Sequence, residues 1–244
     1  MDKLIGRNPV LEALRAGRSP DRLLVQRGAG GSVQRIIDLA RESGVAVEFA
    51  EKAALDRETS GAHQGVVAFV SDYRYADLDD IRARALAANE PPFLVVLDGI
   101  EDPHNLGAII RTAEAVGAHG VVIPKRRAAH VSEAVARAAA GATEHMAVTR
   151  VSNVAQTLRR LKEAGVWTVA LDMGGESCFE RDLTGGIALV IGGEGGGLSR
   201  LTRESCDFAV SVPMYGRVAS LNASNAAAVA LCEIRRQRSG APTR

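Results

Sequence analysis

Cysteine is scarce in this sequence of 244 residues, and the few cysteines form no motif. Cys178, Cys206 and Cys232 stand far apart, with no C-x-x-C pair among them. Their spacing argues against a disulfide framework and against a cysteine-based zinc site. Because no histidine or cysteine cluster has ligand spacing either, we expect the protein to use no metal.

Long hydrophobic runs are also missing. The longest, at residues 93–97 and 187–191, are far shorter than the roughly 20 residues that a membrane-spanning helix needs. The first residues contain no apolar stretch of the kind found in secretory signals. We therefore expect a cytoplasmic protein without a transmembrane segment.

A strong net charge is the third absence, since the formal net charge is only +1. The overall composition therefore does not indicate a polyanionic partner. The basic residues are nevertheless grouped, and each group is compatible with binding RNA phosphates or with ordinary coverage of a helix surface. The groups are Arg7, Arg15, Arg18, Arg22 and Arg27; Lys125, Arg126 and Arg127; and Arg235, Arg236 and Arg238.

Apolar residues are abundant, at 46% of the chain, and they alternate with amphipathic stretches in two blocks. In the first block we expect a helix capped by Asn8, then strands at 23–26, 45–49 and 66–70 with helices between them. Residues 73–92 turn polar and then rich in alanine and arginine, which indicates a linker with a surface helix. The expected domains are therefore 1–72 and 93–240.

The second block consists of near-continuous valine, isoleucine and leucine runs separated by helical patterns. This arrangement predicts an α/β domain with a parallel sheet covered on both faces. Ligands of such sheets bind at the carboxyl ends of the strands, so the segments that follow the apolar runs are the candidate functional loops. The expected strands are at 93–97, 120–123, 146–149, 166–171, 187–191 and 208–212.

The first loop, residues 98–107, leads into a helix that carries Arg111. Asn105 suits the N-cap of that helix. The Arg111 side chain leans back towards the helix N-terminus, where a planar cation favours a phosphate. The alternative is that Asn105 only caps the helix and Arg111 only faces solvent.

The second loop, residues 192–197, places five glycines around Glu194, and we refer to it as the glycine loop. Glycine in such number weakens a fold unless its backbone freedom is used, so we expect the backbone to approach a ligand closely. The loop does not fit G-x-G-x-x-G in register and lacks the lysine of a P-loop. A merely flexible loop is the alternative.

The third loop, residues 212–225, is polar and precedes a helix whose first turns, Ala226–Ala230, are almost all alanine. Its Ser220, Asn222 and Ser224 are compatible both with helix capping and with a functional role.

Together the three loops resemble a known family. Residues 102–113, 191–198 and 220–224 resemble, in order and spacing, the three motifs of the SpoU branch of the SPOUT methyltransferases. Residues 6–14 and 63–68 look like the substrate-binding domain of members that methylate a guanosine of large-subunit ribosomal RNA. The resemblance implies a small L30e-like N-terminal domain and an α/β-knot methyltransferase domain, trefoil-knotted, that forms a homodimer.

The resemblance also implies S-adenosylmethionine as cofactor and transfer of its methyl group to a ribose 2′-oxygen of RNA. By the family's motifs, the cofactor's neighbours are Gly192, Gly193, Gly197, Val212, Met214 and Leu221.

The family further implies that Arg111 is central to catalysis. A guanidinium holds its proton too firmly to be a simple base, so we expect Arg111 to grip the target phosphate and align the ribose, with Glu194 orienting it. Asn105 would orient the ribose or the glutamate, Ser220 would bind phosphate, and Asn222 would fix the loop. From chemistry alone His104 is the obvious general base, because imidazole titrates near neutral pH.

Other functions remain open at this point. The family includes enzymes that methylate a tRNA guanosine or an rRNA adenosine. A catalytically inactive RNA-binding protein would require damaged motifs, and none of the motif residues is replaced. A nicotinamide-dependent oxidoreductase is compatible with the alternation but lacks the glycine fingerprint.

Overall fold

The computed structural model describes residues 2–17, 20–59, 61–70 and 73–240. Arg18 and Asp72, the last residue of the expected first domain, lie outside this range. The chain forms two compact units, the first made of residues up to Arg74 together with Val131–His145, the second of Tyr75–His130 and the chain from Met146 onwards. In the described parts, no helix is long and apolar enough to cross a membrane.

The first unit is built on a mixed four-stranded sheet of order β1-β4-β2-β3, in which only β2 and β3 are parallel. Strand β1 was not expected, because its four residues show no periodicity and it is defined by antiparallel pairing with β4. The first helix has Gly6 and not Asn8 as its N-cap. The elements are β1 Asp2–Ile5, α1 Arg7–Arg15, β2 Arg22–Gln26, α2 Ser32–Glu42, β3 Ala46–Ala50, α3 Lys52–Glu58 and β4 Val66–Val70.

The segment Val131–His145 falls within the range expected for the second domain, yet it packs in the first unit. Ala136 is buried in the same apolar cluster as Leu4 and Val10. The Nε2 atom of His145 lies 2.9 Å from Oε2 of Glu12. Such contacts between residues more than a hundred positions apart leave no trace in the local sequence pattern. The segment contains α6, Glu133–Ala138, and a 3₁₀ turn, Ala142–Glu144.

The second unit confirms the expected parallel sheet. Its six strands are all parallel, in the order β10-β8-β9-β5-β6-β7. The elements are α4 Leu78–Ala87, β5 Phe93–Asp98, α5 Pro103–Ala115, β6 Gly120–Pro124, β7 Val148–Val151, α7 Val154–Glu163, β8 Trp167–Ser177, β9 Ile187–Gly192, α8 Arg200–Glu204, β10 Phe208–Ser211 and α9 Ala223–Arg238.

Both faces of this sheet are covered. Val96 of β5 packs in one cluster with Ile81 of α4 and Leu158 of α7. Val95 is equally buried and points to the opposite face, because side chains alternate along a strand. There α5 and α9 pack against each other and against β6 and β9. The helix expected within the linker is thus part of the second unit, with Ile81 fully buried.

The C-terminal ends of α5 and α9 are tied together by Arg235. Its guanidinium donates from Nε to the carbonyl of Val116 and from Nη2 to the carbonyl of Gly117, 2.8 Å away. A cation is favourable at the carboxyl end of a helix, where backbone carbonyls lack partners. This contact fixes α9 on α5, so the N-termini of both helices, which carry motif residues, are held in register at the opposite end.

Candidate active site

The three candidate loops meet at the carboxyl edge of the second unit's sheet. Strands β5 and β9 are neighbours, and β8 and β10 follow on the other side of β9. A cavity of about 520 Å³ opens there. Residues expected to contact the cofactor line it, as do three of the expected catalytic residues: Gly192, Gly193, Gly197, Val212, Met214 and Leu221, with Glu194, Ser220 and Asn222.

Helix α5 begins one turn earlier than the sequence suggested. Asp102 is its N-cap, accepting hydrogen bonds from the backbone N–H groups of His104 and Asn105, and Pro103 occupies the first turn. The expected capping role of Asn105 is therefore wrong. Because Asp102 caps the helix, the buried Asn105 side chain is left to make another contact.

That contact is with Glu194 of the glycine loop. Oε1 of Glu194 accepts hydrogen bonds from Nδ2 of Asn105, at 2.9 Å, and from Nδ2 of Asn222. Hydrogen bonds to an ionised acceptor are stronger than those between neutral groups. One carboxylate oxygen therefore joins the first, second and third loops.

Asn222 uses both ends of its amide. Its Oδ1 caps α9 by accepting from the backbone N–H and the hydroxyl of Ser224, at 2.8 and 2.6 Å, while its Nδ2 donates to Glu194. Capping and a place in the site, which the sequence left as alternatives, are thus combined. Ser220 is exposed at the wall of the cavity.

Arg111 lies outside this network. The side chain is exposed on α5, and no hydrogen bond or ion pair joins it to another residue that the structure describes. The expected pairing of Glu194 with Arg111 is absent among the described contacts, and Oε1 of the carboxylate accepts instead from two asparagines. In the structure Glu194 joins the three loops, and its role in orienting the arginine stays a prediction.

Close approach of backbone to backbone explains the first glycines of the loop. A Cβ atom at Gly193 would overlap the carbonyl of Gly99, and one at Gly192 would overlap the backbone between Gly197 and Leu198. The fold itself therefore requires Gly192 and Gly193, and the expected close approach of the loop to a ligand stays a prediction. Gly196 differs, since it lines the cavity, has no positive φ, and has open space where a Cβ would stand.

Two aspartates of the site were not predicted from the sequence. Asp98 holds both ends of the glycine loop: its carbonyl accepts from the N–H of Gly193 and its carboxylate from the N–H of Ser199, each at 3.0 Å. Asp172 lines the cavity beyond the apolar part of β8, where its Oδ1 lies 3.3 Å from Nη2 of Arg203. Each is the first charged residue after an apolar run, which is the position that marks ligand sites in parallel sheets.

Comparisons with known proteins agree with this geometry. Residues 92–232 match the SpoU rRNA Methylase family, and residues 3–76 match the family described as RNA 2′-O ribose methyltransferase substrate binding. YacO of Bacillus subtilis, assigned to the TrmH family of tRNA/rRNA methyltransferases, is 47% identical over 97% of this chain and 96% of its own.

Solved structures show the same similarity. The SpoU methyltransferase AviRb of Streptomyces viridochromogenes, in complex with AdoMet, is 31% identical, with a TM-score of 0.83 over 98% of this chain and 91% of that chain. An AdoMet-bound rRNA methyltransferase of Sinorhizobium meliloti is 26% identical, with a TM-score of 0.78 over 96% and 87% of the two chains. Within the described residues, no group of three or more histidine, cysteine, aspartate or glutamate side chains is placed to hold a metal.

A trefoil knot in the second unit is implied by the family that these comparisons identify. The family match, the fold and the cavity together show that the chain belongs to the SpoU family of S-adenosylmethionine-dependent RNA 2′-O-ribose methyltransferases.

Proposed function

We propose that this enzyme methylates the ribose of a guanosine in large-subunit ribosomal RNA. The observation that supports the methyl-transfer activity is the Glu194 carboxylate, which gathers the three motif loops around one cavity. The resemblance of residues 6–14 and 63–68 to ribosomal guanosine methyltransferases supports the choice of RNA. Methylation of a tRNA guanosine or of an rRNA adenosine is the alternative within the family. The cytoplasmic location stays a prediction.

The residues of the cavity fit S-adenosylmethionine. Apolar side chains such as Leu171, Met214 and Leu221 suit a purine ring, and the glycine loop offers backbone groups. The carboxylates of Asp172 and Glu194 suit a ligand that carries hydroxyl donors and positive charge. When bound, the cofactor supplies a methyl group on a sulfonium, whose C–S bond breaks as the ribose 2′-oxygen bonds to the methyl carbon.

Arg111 then has the RNA as its partner. Arg111 lies on α5 about two turns after the helix start at the carboxyl edge, and its long side chain leans back towards that end. Exposed and unpaired within the described chain, it is available to grip a phosphate with its planar fork and to hold the adjacent ribose in line. Ser220, at the cavity wall, would donate to a phosphate oxygen. Asn105, Glu194 and Asn222 hold the loops on which the reacting groups are aligned.

Two groups are candidates for accepting the 2′-hydroxyl proton. A phosphate oxygen held by Arg111, or a water molecule, is one candidate. The other is His104, which lies exposed in the first turn of α5.

We also propose a homodimer formed through the second unit. The alanine run at the start of α9 does not provide the surface for it, because Ala227 and Ala230 are fully buried. The third loop is a better candidate, since Tyr215 is 95% exposed and Val218 is 70% exposed. Large exposed apolar side chains of this kind mark interaction surfaces.

The proposed activity is tested by incubating the protein with methyl-labelled S-adenosylmethionine and unmodified transcripts of ribosomal and transfer RNA. We expect label in the large-subunit transcript, at a phosphodiester that resists alkali because its 2′-oxygen is blocked, and recovered as 2′-O-methylguanosine. Label in transfer RNA alone would overturn the substrate assignment. Cofactor binding without transfer to any RNA would support the inactive binding protein instead.

The cavity assignment is tested by Gly196→Val. Its side chain would enter the cavity without strain in the backbone, so we expect affinity for S-adenosylmethionine, measured by calorimetry, to fall by about tenfold or more, equivalent to about 1.4 kcal/mol. Gly30→Val is the matched control, because Gly30 also has open space and an ordinary φ but lies in the first unit. Equal cofactor affinity of the two variants would mean that the cofactor lies elsewhere.

The role of Arg111 is tested by Arg111→Lys, which keeps the charge and the helix propensity but loses the planar fork. We expect single-turnover methylation to slow by about 100-fold, the effect of about 2.7 kcal/mol of lost transition-state positioning, with cofactor affinity unchanged. His104→Ala is measured in parallel. A near-normal rate for Arg111→Lys together with a strongly reduced rate for His104→Ala would identify His104 as the base. It would refute the role that we assign to Arg111.

A further inference from the structure

The three groups of basic residues differ in whether their side chains have partners within the folded protein. Arg235 and Arg238 donate to backbone carbonyls, and Arg236 pairs with Glu233. In the first group the described arginines also have partners within their own unit. Arg7 donates to Gln64 and Ser32, Arg15 pairs with Glu12, Arg22 with Glu48, and Arg27 lies 3.7 Å from Glu51.

The remaining group consists of Lys125, Arg126 and Arg127, and it differs from the other two. All three side chains are exposed, and among the residues that the structure describes none of them forms a hydrogen bond or ion pair through its side chain. Three consecutive cations without counter-charges repel one another, which is unfavourable unless an anion binds there. The segment is therefore a candidate contact for an external polyanion.

The position of this segment connects it with the active site. It follows β6, the neighbour of β5, and so emerges at the same carboxyl edge as the first loop. The N–H of Ala129 donates to the carbonyl of Ile100, at 2.8 Å, which fastens the segment to the loop that precedes α5. Any phosphate bound here is thus held in register with Asn105 and the rest of that loop.

The segment is also anchored from its other side. The N–H of Lys125 donates to the carbonyl of Val151, at 2.8 Å, and Nη2 of Arg150 lies 3.4 Å from the carbonyl of Lys125. Arg150 stacks over the ring of Tyr75, at 5.0 Å, and adds a fourth positive charge. Arg127 has a φ of +54°, a conformation that costs a non-glycine residue energy and that concentrates at binding sites.

Acidic groups of the neighbouring loop do not neutralise the segment. Asp102 is occupied by capping α5, where its carboxylate accepts two backbone N–H groups. Glu101 is exposed and forms no ion pair with any residue in the described ranges.

We propose that Lys125, Arg126 and Arg127 form a phosphate-binding loop that holds the RNA backbone next to the target ribose. The loop sets the register of the RNA on the second unit, independently of the substrate-binding unit. It contributes to the binding of substrate and not to the methyl transfer itself. This inference rests on the proposed function for its biological meaning, but its test is a binding measurement that does not require turnover.

The test compares two double variants that remove the same charge. Arg126→Gln with Arg127→Gln alters the proposed loop, and Arg159→Gln with Arg160→Gln alters two exposed arginines of α7 whose side chains have no partner in the described chain. Affinity for a fluorescein-labelled, mixed-sequence RNA of 20 nucleotides is measured from low to high salt. Each lost phosphate contact makes the dependence of log affinity on log salt less steep by about 0.7 for single-stranded RNA.

We expect the slope of the loop variant to fall by about 1.4 relative to the wild type and that of the α7 variant to change by less than half of that. With a methylatable transcript, we expect the loop variant to raise KM by about tenfold with little change in kcat, and to bind S-adenosylmethionine as the wild type does. A thermal unfolding curve like that of the wild type excludes a structural cause.

Equal slopes for the wild type and the loop variant would overturn the inference, and so would equal reductions in both variants, which would reflect net charge alone. A fall in kcat at unchanged KM would also overturn it, by assigning the loop to the chemical step. If the wild type transfers no methyl group to any RNA, the proposed function fails, whereas the salt slopes still decide whether the loop binds phosphates.

Discussion

The active site depends on one carboxylate oxygen that accepts hydrogen bonds from two asparagines. Glu194 lies in the glycine loop, Asn105 in the first turn of α5, and Asn222 at the N-cap of α9. Asp98 also joins the first loop to the glycine loop, and the Glu194 carboxylate adds the third loop to both. Three features of the second unit bring Glu194 and the two asparagines together.

The sheet provides the first condition, since β5 and β9 are neighbours and deliver the first loop and the glycine loop to one edge. The helices provide the second. Arg235 fixes the C-terminal ends of α5 and α9, so that their N-termini face Glu194 together. The capping residues provide the third, because Asp102 and not Asn105 caps α5, which leaves the Asn105 amide to donate.

Much of this was predictable because it follows from short-range patterns. Near-continuous apolar runs indicated the strands of the parallel sheet, and the glycine loop was recognisable from its composition around Glu194. The resemblance to a family supplied the residues of the cavity, which periodicity alone would not have identified.

What the sequence did not predict depends on contacts between distant segments. The partner of Glu194 was expected to be Arg111, because opposite charges are the obvious pair, whereas the fold brings two amides to it. The placement of Val131–His145 in the first unit rests on Ala136 packing beside Leu4, which no local pattern encodes. The reason for Gly193 is likewise the carbonyl of Gly99, a contact across two loops.

The central claim is that the bond between Asn105 and Glu194 holds the site together. Asn105→Asp would place a second carboxylate, at a buried position, against that of Glu194, and we expect methylation to fall by about 100-fold, or about 2.7 kcal/mol. Adding Glu194→Gln restores the hydrogen bond between positions 105 and 194 with its direction reversed. The amide of the new glutamine donates to the carboxylate at position 105, and its oxygen still accepts from Asn222.

The decisive measurement is the single-turnover methylation rate of the two single variants and the double variant, with folding checked by thermal unfolding. Our account predicts that the double variant is at least about tenfold faster than Asn105→Asp alone. The coupling between these residues in direct contact is then about 1.4 kcal/mol plus the cost of Glu194→Gln alone. The account would be contradicted if the fold-reduction in rate of the double variant equalled the product of the fold-reductions of the two single variants. The two side chains would then act independently.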